Sequence, residues 1–161
     1  MTEIEGKPRG AGLRFAVVAS RFNSEITEGL IAGTLEALKE TGVEIGDITL
    51  IRVPGAFEIP LTAKRAADSR RYDGVIALGC VIRGETAHFE YISQEASSGI
   101  GRVALETGVP VAFGVLTVDT DDQAIARSGP DRNNKGFEAA MAAVEMVNLL
   151  KQIPHGPPTQ G

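Results

Sequence analysis

The chain has 161 residues, 43% hydrophobic and 23% charged, with a net charge of −5. This is the balance of an ordinary water-soluble globule, read as a single domain over 1–161 whose core buries roughly two-thirds of the unfolded surface. No basic block marks a nucleic-acid partner, no apolar run reaches the ~20 residues a membrane helix needs, and the lone cysteine, Cys80, excludes an internal disulfide or a cysteine-pair zinc site.

Residues 1–12, "MTEIEGKPRGAG", read as an N-terminal arm. They lack the apolar stretch of a signal peptide, which points to a cytoplasmic protein. Pro8 limits the pairing of this arm as an edge strand. "RFAVVAS" (14–20) is the first of four Val- and Ile-rich runs. The others are "ITLIRV" (48–53), "GVIALGCVI" (74–82) and "VPVAFGVLTV" (109–118). Their lack of alternation predicts strands buried on both faces, hence a parallel sheet. Between the first two, Ile26, Leu30, Leu35 and Leu38 share a helical face, with Asn23 or Ser24 as cap and Gly42 as stop. A second helix starts near Ala56, which puts Pro60 in its first turn. A third covers 86–108 with Phe89, Ile92, Ala96, Ile100 and Val103 inward. A short helix (about 121–128), the loop "SGPDRNN" and a last helix carrying Phe137, Met141, Val144 and Val147 complete the body, and 154–161 reads as a tail. The β-α-β-α-β-α-β-α-α order predicts an α/β fold with a central four-stranded parallel sheet and helices on both faces.

In such a sheet, ligands bind beyond the carboxyl ends of the strands. The segments there are "SRFN", "PGAFE", "CVIRGETAH" and "LTVDTDD". His88 is the only histidine in the body of the chain, and it reads either as a proton-transfer group or as a packing residue. Gly84, Glu85 and Thr86 are expected to open the third helix, where backbone N–H groups and the Thr86 hydroxyl can hold an anion or simply cap a turn. Phe22 and Phe57 can stack on a flat heterocycle or seal the core. Glu58 suits dipole stabilisation or binding of hydroxyls. Arg127 and Lys135 flank "SGPDRNN" and read as a phosphate clamp or as solvated charges. "GIGRVA" (99–104) follows a helix rather than a strand and so lacks the context of a dinucleotide site. Cys80 lies in an apolar strand, where a thiol most often packs rather than attacks. No metal-ligand cluster is evident.

"SRFN" (20–23), "VPGAFEIP" (53–60), "ALGCVIRGETAHFEYI" (77–92), "VPVAFGVLT" (109–117) and "NKG" (134–136) resemble, in order and spacing, the signatures of the 6,7-dimethyl-8-ribityllumazine synthase family over roughly residues 12–150. The resemblance implies a flavodoxin-like three-layer sandwich. It implies condensation of 5-amino-6-(D-ribitylamino)uracil with 3,4-dihydroxy-2-butanone 4-phosphate, the penultimate step of riboflavin biosynthesis, with no metal or organic cofactor. His88 matches the proton-transfer residue. Phe22 would stack on the pyrimidine; Ala56, Phe57 and Glu58 would hold the ribityl chain and ring; Cys80, Val81 and Ile82 would contact the pyrimidine through main chain. Glu85, Thr86 and Arg127 would bind the butanone phosphate, with Asn23 and Lys135 as further contacts. Phe113 would touch the pyrimidine from a neighbouring subunit, together with Arg127, so homo-oligomers are implied. These are pentamers, twelve of which close into a 60-subunit shell, and riboflavin synthase is an implied partner. The loop "SGPDRNNKG" keeps the length found in shell-forming members, with Pro130 and with Asn133, which can take a left-handed turn conformation. A catalytically silent flavin- or lumazine-binding relative is the alternative.

Overall fold

A computed structural model describes residues 1–156. Its elements are β1 (Phe15–Ser20), α1 (Ser24–Thr41), β2 (Ile48–Val53), α2 (Ile59–Asp68), β3 (Gly74–Ile82), α3 (His88–Thr107), β4 (Val111–Val118), α4 (Asp121–Ala126) and α5 (Lys135–Lys151). The sheet is parallel throughout, in the order β2-β1-β3-β4. This is the beginning of the flavodoxin-like strand order. Right-handed crossovers put the β1-to-β2 connection and the β2-to-β3 connection, which runs back past β1, on opposite faces. Accordingly α1 and α5 pack together on one face, and α2 and α3 on the other.

The two faces of each central strand feed two cores. Phe15, Val17, Ile76 and Leu78 meet Leu30 and Leu38 of α1 and Val144 of α5. Ala16, Val18, Val75 and Ala77 meet Ile59 of α2 and Ile100 and Val103 of α3. Both sets being apolar is why these strands read without alternation. α1 and α5 approach closely: a Cβ at Gly136 would stand 2.0 Å from the Leu30 carbonyl oxygen.

Several expectations need correction. β2 is an edge strand rather than a buried one, with Thr49, Leu50 and Arg52 exposed. The turn after β2 is a 3₁₀ turn over Ala56–Glu58, and α2 proper begins at Ile59, with Pro60 still in its first turn. The third helix begins at His88, so Gly84, Glu85 and Thr86 form a loop. There the Thr86 hydroxyl accepts the His88 N–H at 3.4 Å, a local turn that competes with earlier helix formation. Asn23 takes a left-handed conformation (φ 57°) and does not cap α1 with its side chain. Asn133 is not left-handed; its N–H donates to the Asp131 carboxylate at 2.9 Å. The N-terminal arm contains no strand in this chain. It lies along the end of α5, where Asn148 Nδ2 donates to the carbonyls of Lys7 (2.6 Å) and Arg9 (2.9 Å) and Gln152 Nε2 donates to that of Glu5 (2.7 Å). Of the expected tail, residues 157–161 lie outside the described residues.

Candidate active site

β1 connects outward to β2, while β2 returns past it to β3, so the strand order reverses between β1 and β3. A crevice opens at such a switch point, outside the carboxyl ends of the strands. Here it is a pocket of about 630 Å³ lined by residues of three successive loops. The β1 loop supplies Phe22, the β2 loop Pro54 to Glu58, and the end of β3 and its loop Cys80, Val81, Ile82, Gly84 and Thr86. His88, Phe89 and Ile92 of α3 close it.

Phe22 is 70% exposed and Phe57 56%, so neither seals the core. In an aromatic-poor chain, two open rings on one pocket are a surface for stacking. The loops hold this arrangement by contacts that bridge strands. Phe22 N–H donates to the Pro54 carbonyl at 3.2 Å, and Arg21 N–H to that of Val53 at 2.8 Å, tying the β1 loop to the β2 loop. The β1–β3 pairing ends at Leu78, so the Cys80 carbonyl has no strand partner on that side. Asn23 Nδ2 takes it at 2.8 Å. Glu58 folds back over Gly55, where even a Cβ would come within 3.2 Å of its carboxylate. Pro54, Gly55, Phe89 and Ile92 were not expected at the site, whereas Gly84 was; the glycines and proline of "PGAFE" and "RGE" mark the turns there.

The Cys80 side chain is buried, and burial, followed by the negative charge of Asp121, pushes its thiol up to about 11. It is therefore protonated at neutral pH and unsuited to nucleophilic attack. Among the described residues no three His, Cys, Asp or Glu side chains converge to hold a metal ion. No helix there is long and apolar enough to cross a membrane.

Four of the expected residues lie elsewhere. Glu85 sits with Thr86 in a shallow depression outside the loop, beside Arg83 and Glu90. Phe113, Arg127 and Lys135 share a separate concavity of about 250 Å³ along β4. In it the Arg127 guanidinium donates to the Gln123 carbonyl at 2.9 Å, and Lys135 pairs with Glu138 at 2.8 Å. Phe113, 46% exposed, also borders an apolar groove of about 610 Å³ between the end of α3, β4 and α5, lined by Leu105, Val111, Ala142 and Met146 among others. The sequence model of one protein family, described as 6,7-dimethyl-8-ribityllumazine synthase, matches residues 12–151.

Proposed function

Because the chain belongs to the 6,7-dimethyl-8-ribityllumazine synthase family, we propose that it condenses 5-amino-6-(D-ribitylamino)uracil with 3,4-dihydroxy-2-butanone 4-phosphate. The products are 6,7-dimethyl-8-ribityllumazine, inorganic phosphate and water, one step before riboflavin. The observation that carries this reading is the pocket that joins two exposed aromatic rings, Phe22 and Phe57, to His88 on its rim. The flat pyrimidine stacks on Phe22. Backbone groups of Ala56, Phe57, Cys80, Val81 and Ile82 contact it and the ribityl chain, and the Glu58 carboxylate accepts from ribityl hydroxyls. Thr86, which lines the pocket, holds the phosphate ester with its hydroxyl, and the Glu85 backbone N–H just outside the lining is the second donor. His88 gives and takes the protons of imine formation and ring closure, a role typically worth ~10²–10⁴ in rate. Fixing two substrates in one pocket supplies a further large factor.

Phe113 and Arg127 act from the neighbouring subunit. Their position in a concavity of their own, away from His88 in the same chain, supports that division. So does the apolar groove of about 610 Å³ beside Phe113, an uncovered surface suited to a second copy in a ring. Homo-pentamers are the expected unit, closing into a 60-subunit shell, with riboflavin synthase as the consumer of the product.

Purified protein mixed with both substrates tests the reading. Lumazine formation and phosphate release should both exceed a protein-free control. Tight binding of the pyrimidine without acceleration would overturn it in favour of a silent binding relative.

A further inference from the structure

The loop that delivers His88 has little to hold it internally. Gly84, Glu85, Thr86 and Ala87 are exposed, and the described contacts are the Thr86 hydroxyl on the His88 N–H and the Tyr91 N–H on the Ala87 carbonyl, at 3.4 and 3.3 Å. The residue before it is anchored on all sides. Arg83 N–H donates to the Val118 carbonyl at 2.8 Å, at the end of β4. Its Nε donates to Asp119 at 2.7 Å and its Nη1 to Glu90 at 2.5 Å. The guanidinium also lies 4.5 Å from the centre of the Phe89 ring. Glu90 and Phe89 are the two residues after His88 in the first turn of α3, and Phe89 lines the pocket.

We propose that Arg83 is the positioning residue for His88: it clamps the β3–α3 loop and the first turn of α3 to the end of β4, and so sets where the imidazole stands. The assignment rests on the synthase reading above. Only a planar fork can engage two carboxylates in different directions while its face covers a ring, so lysine is a poor substitute. The side chains of Arg83, Glu90 and Asp119 are 48%, 54% and 62% exposed. Exposed pairs of this kind add little to global stability. What Arg83 contributes is placement.

The test compares Arg83→Gln and Arg83→Lys with the wild type by hydrogen exchange and by steady-state kinetics. In Arg83→Gln the hydrogen-bonded amides that flank the loop, those of Arg83's own position, His88 and Tyr91, should exchange about tenfold faster, with other segments unchanged, because a local opening has become easier. Turnover should fall about tenfold, since small misplacements of a reacting group are costly, while the pyrimidine Kd stays within about twofold. Arg83→Lys should recover part of both effects. Unchanged exchange at positions 83, 88 and 91 overturns the proposal whatever the kinetics show, and so does faster exchange with unchanged turnover. A wild type that forms no lumazine refutes the synthase reading instead; faster exchange confined to positions 83, 88 and 91 in Arg83→Gln would then still establish the clamp.

Discussion

Replacing Asn134 by alanine should destabilise the protein severely, although the residue touches no candidate substrate contact. Its side chain is 2% exposed and saturated: Nδ2 donates to the carbonyls of Gly29 (2.9 Å) and Gly129 (2.8 Å), and Oδ1 accepts from the N–H groups of Gly136 (2.8 Å) and Phe137 (3.1 Å). It thus caps α5 and fastens the preceding loop to α1. The room it occupies exists because Gly33 has no side chain; a Cβ there would lie 2.2 Å from Oδ1. Four hydrogen bonds, two buried and two part-buried, at about 0.5–1.5 kcal/mol each total about 2–6 kcal/mol, a large share of the ~5–15 kcal/mol that holds a typical domain. At about 2–4 °C per kcal/mol for a chain of this size, melting should fall by about 10 °C at matched protein concentration. Asn134→Asp separates the two halves of the network. It keeps the capping acceptor but turns a second oxygen, in place of the amide donor, towards the Gly29 and Gly129 carbonyls, so two hydrogen bonds are lost and replaced by repulsion. The Asn134→Asp variant should therefore melt well below wild type although its cap is kept. An alanine variant melting within about 2 °C of wild type, or an Asn134→Asp variant as stable as wild type, would refute the reasoning.

His88→Ala should reduce turnover by ~10²–10⁴ while equilibrium binding of the pyrimidine is kept; titration of ligand fluorescence alongside steady-state kinetics separates the two. Cys80→Ser should leave turnover within about twofold, and alkylation of the native thiol should accelerate towards pH 11 rather than near the ordinary ~8.5. Because the folded thiol ionises later than the unfolded one, its contribution to stability is present below the ordinary value and lost as pH rises towards about 11. Mixed oligomers of His88→Ala and Arg127→Ala, each inactive alone, should recover activity in roughly a quarter of sites after co-refolding, since a ring with shared sites places intact halves together at random. No recovery in verified mixed rings would mean that both residues serve one subunit.

The order of elements, their inward faces and the residues at the strand ends were legible in the chain because each is written in contiguous residues. Unalternated Val and Ile runs predict strands covered on both sides, and helical spacing picks out Leu30, Ile100 and Val144, all of which are buried. His88, Phe22, Phe57 and Glu58 followed from the rule that ligands sit beyond the strand ends, and the pocket brings these four together. The edge position of β2 was hidden, because a strand's own residues do not say which neighbours it has. The start of α3 at His88 depended on the Thr86 hydroxyl taking that residue's N–H. Three further roles belong to partners distant in the chain: Asn23 bonds to Cys80, 57 residues away; Asn134 to Gly29, 105 away; Arg83 to Asp119, 36 away. Periodicity is a property of neighbours along the chain and identifies what must be buried. Only the crossovers of the folded sheet decide which loops meet, and therefore which polar side chain finds which carbonyl or carboxylate.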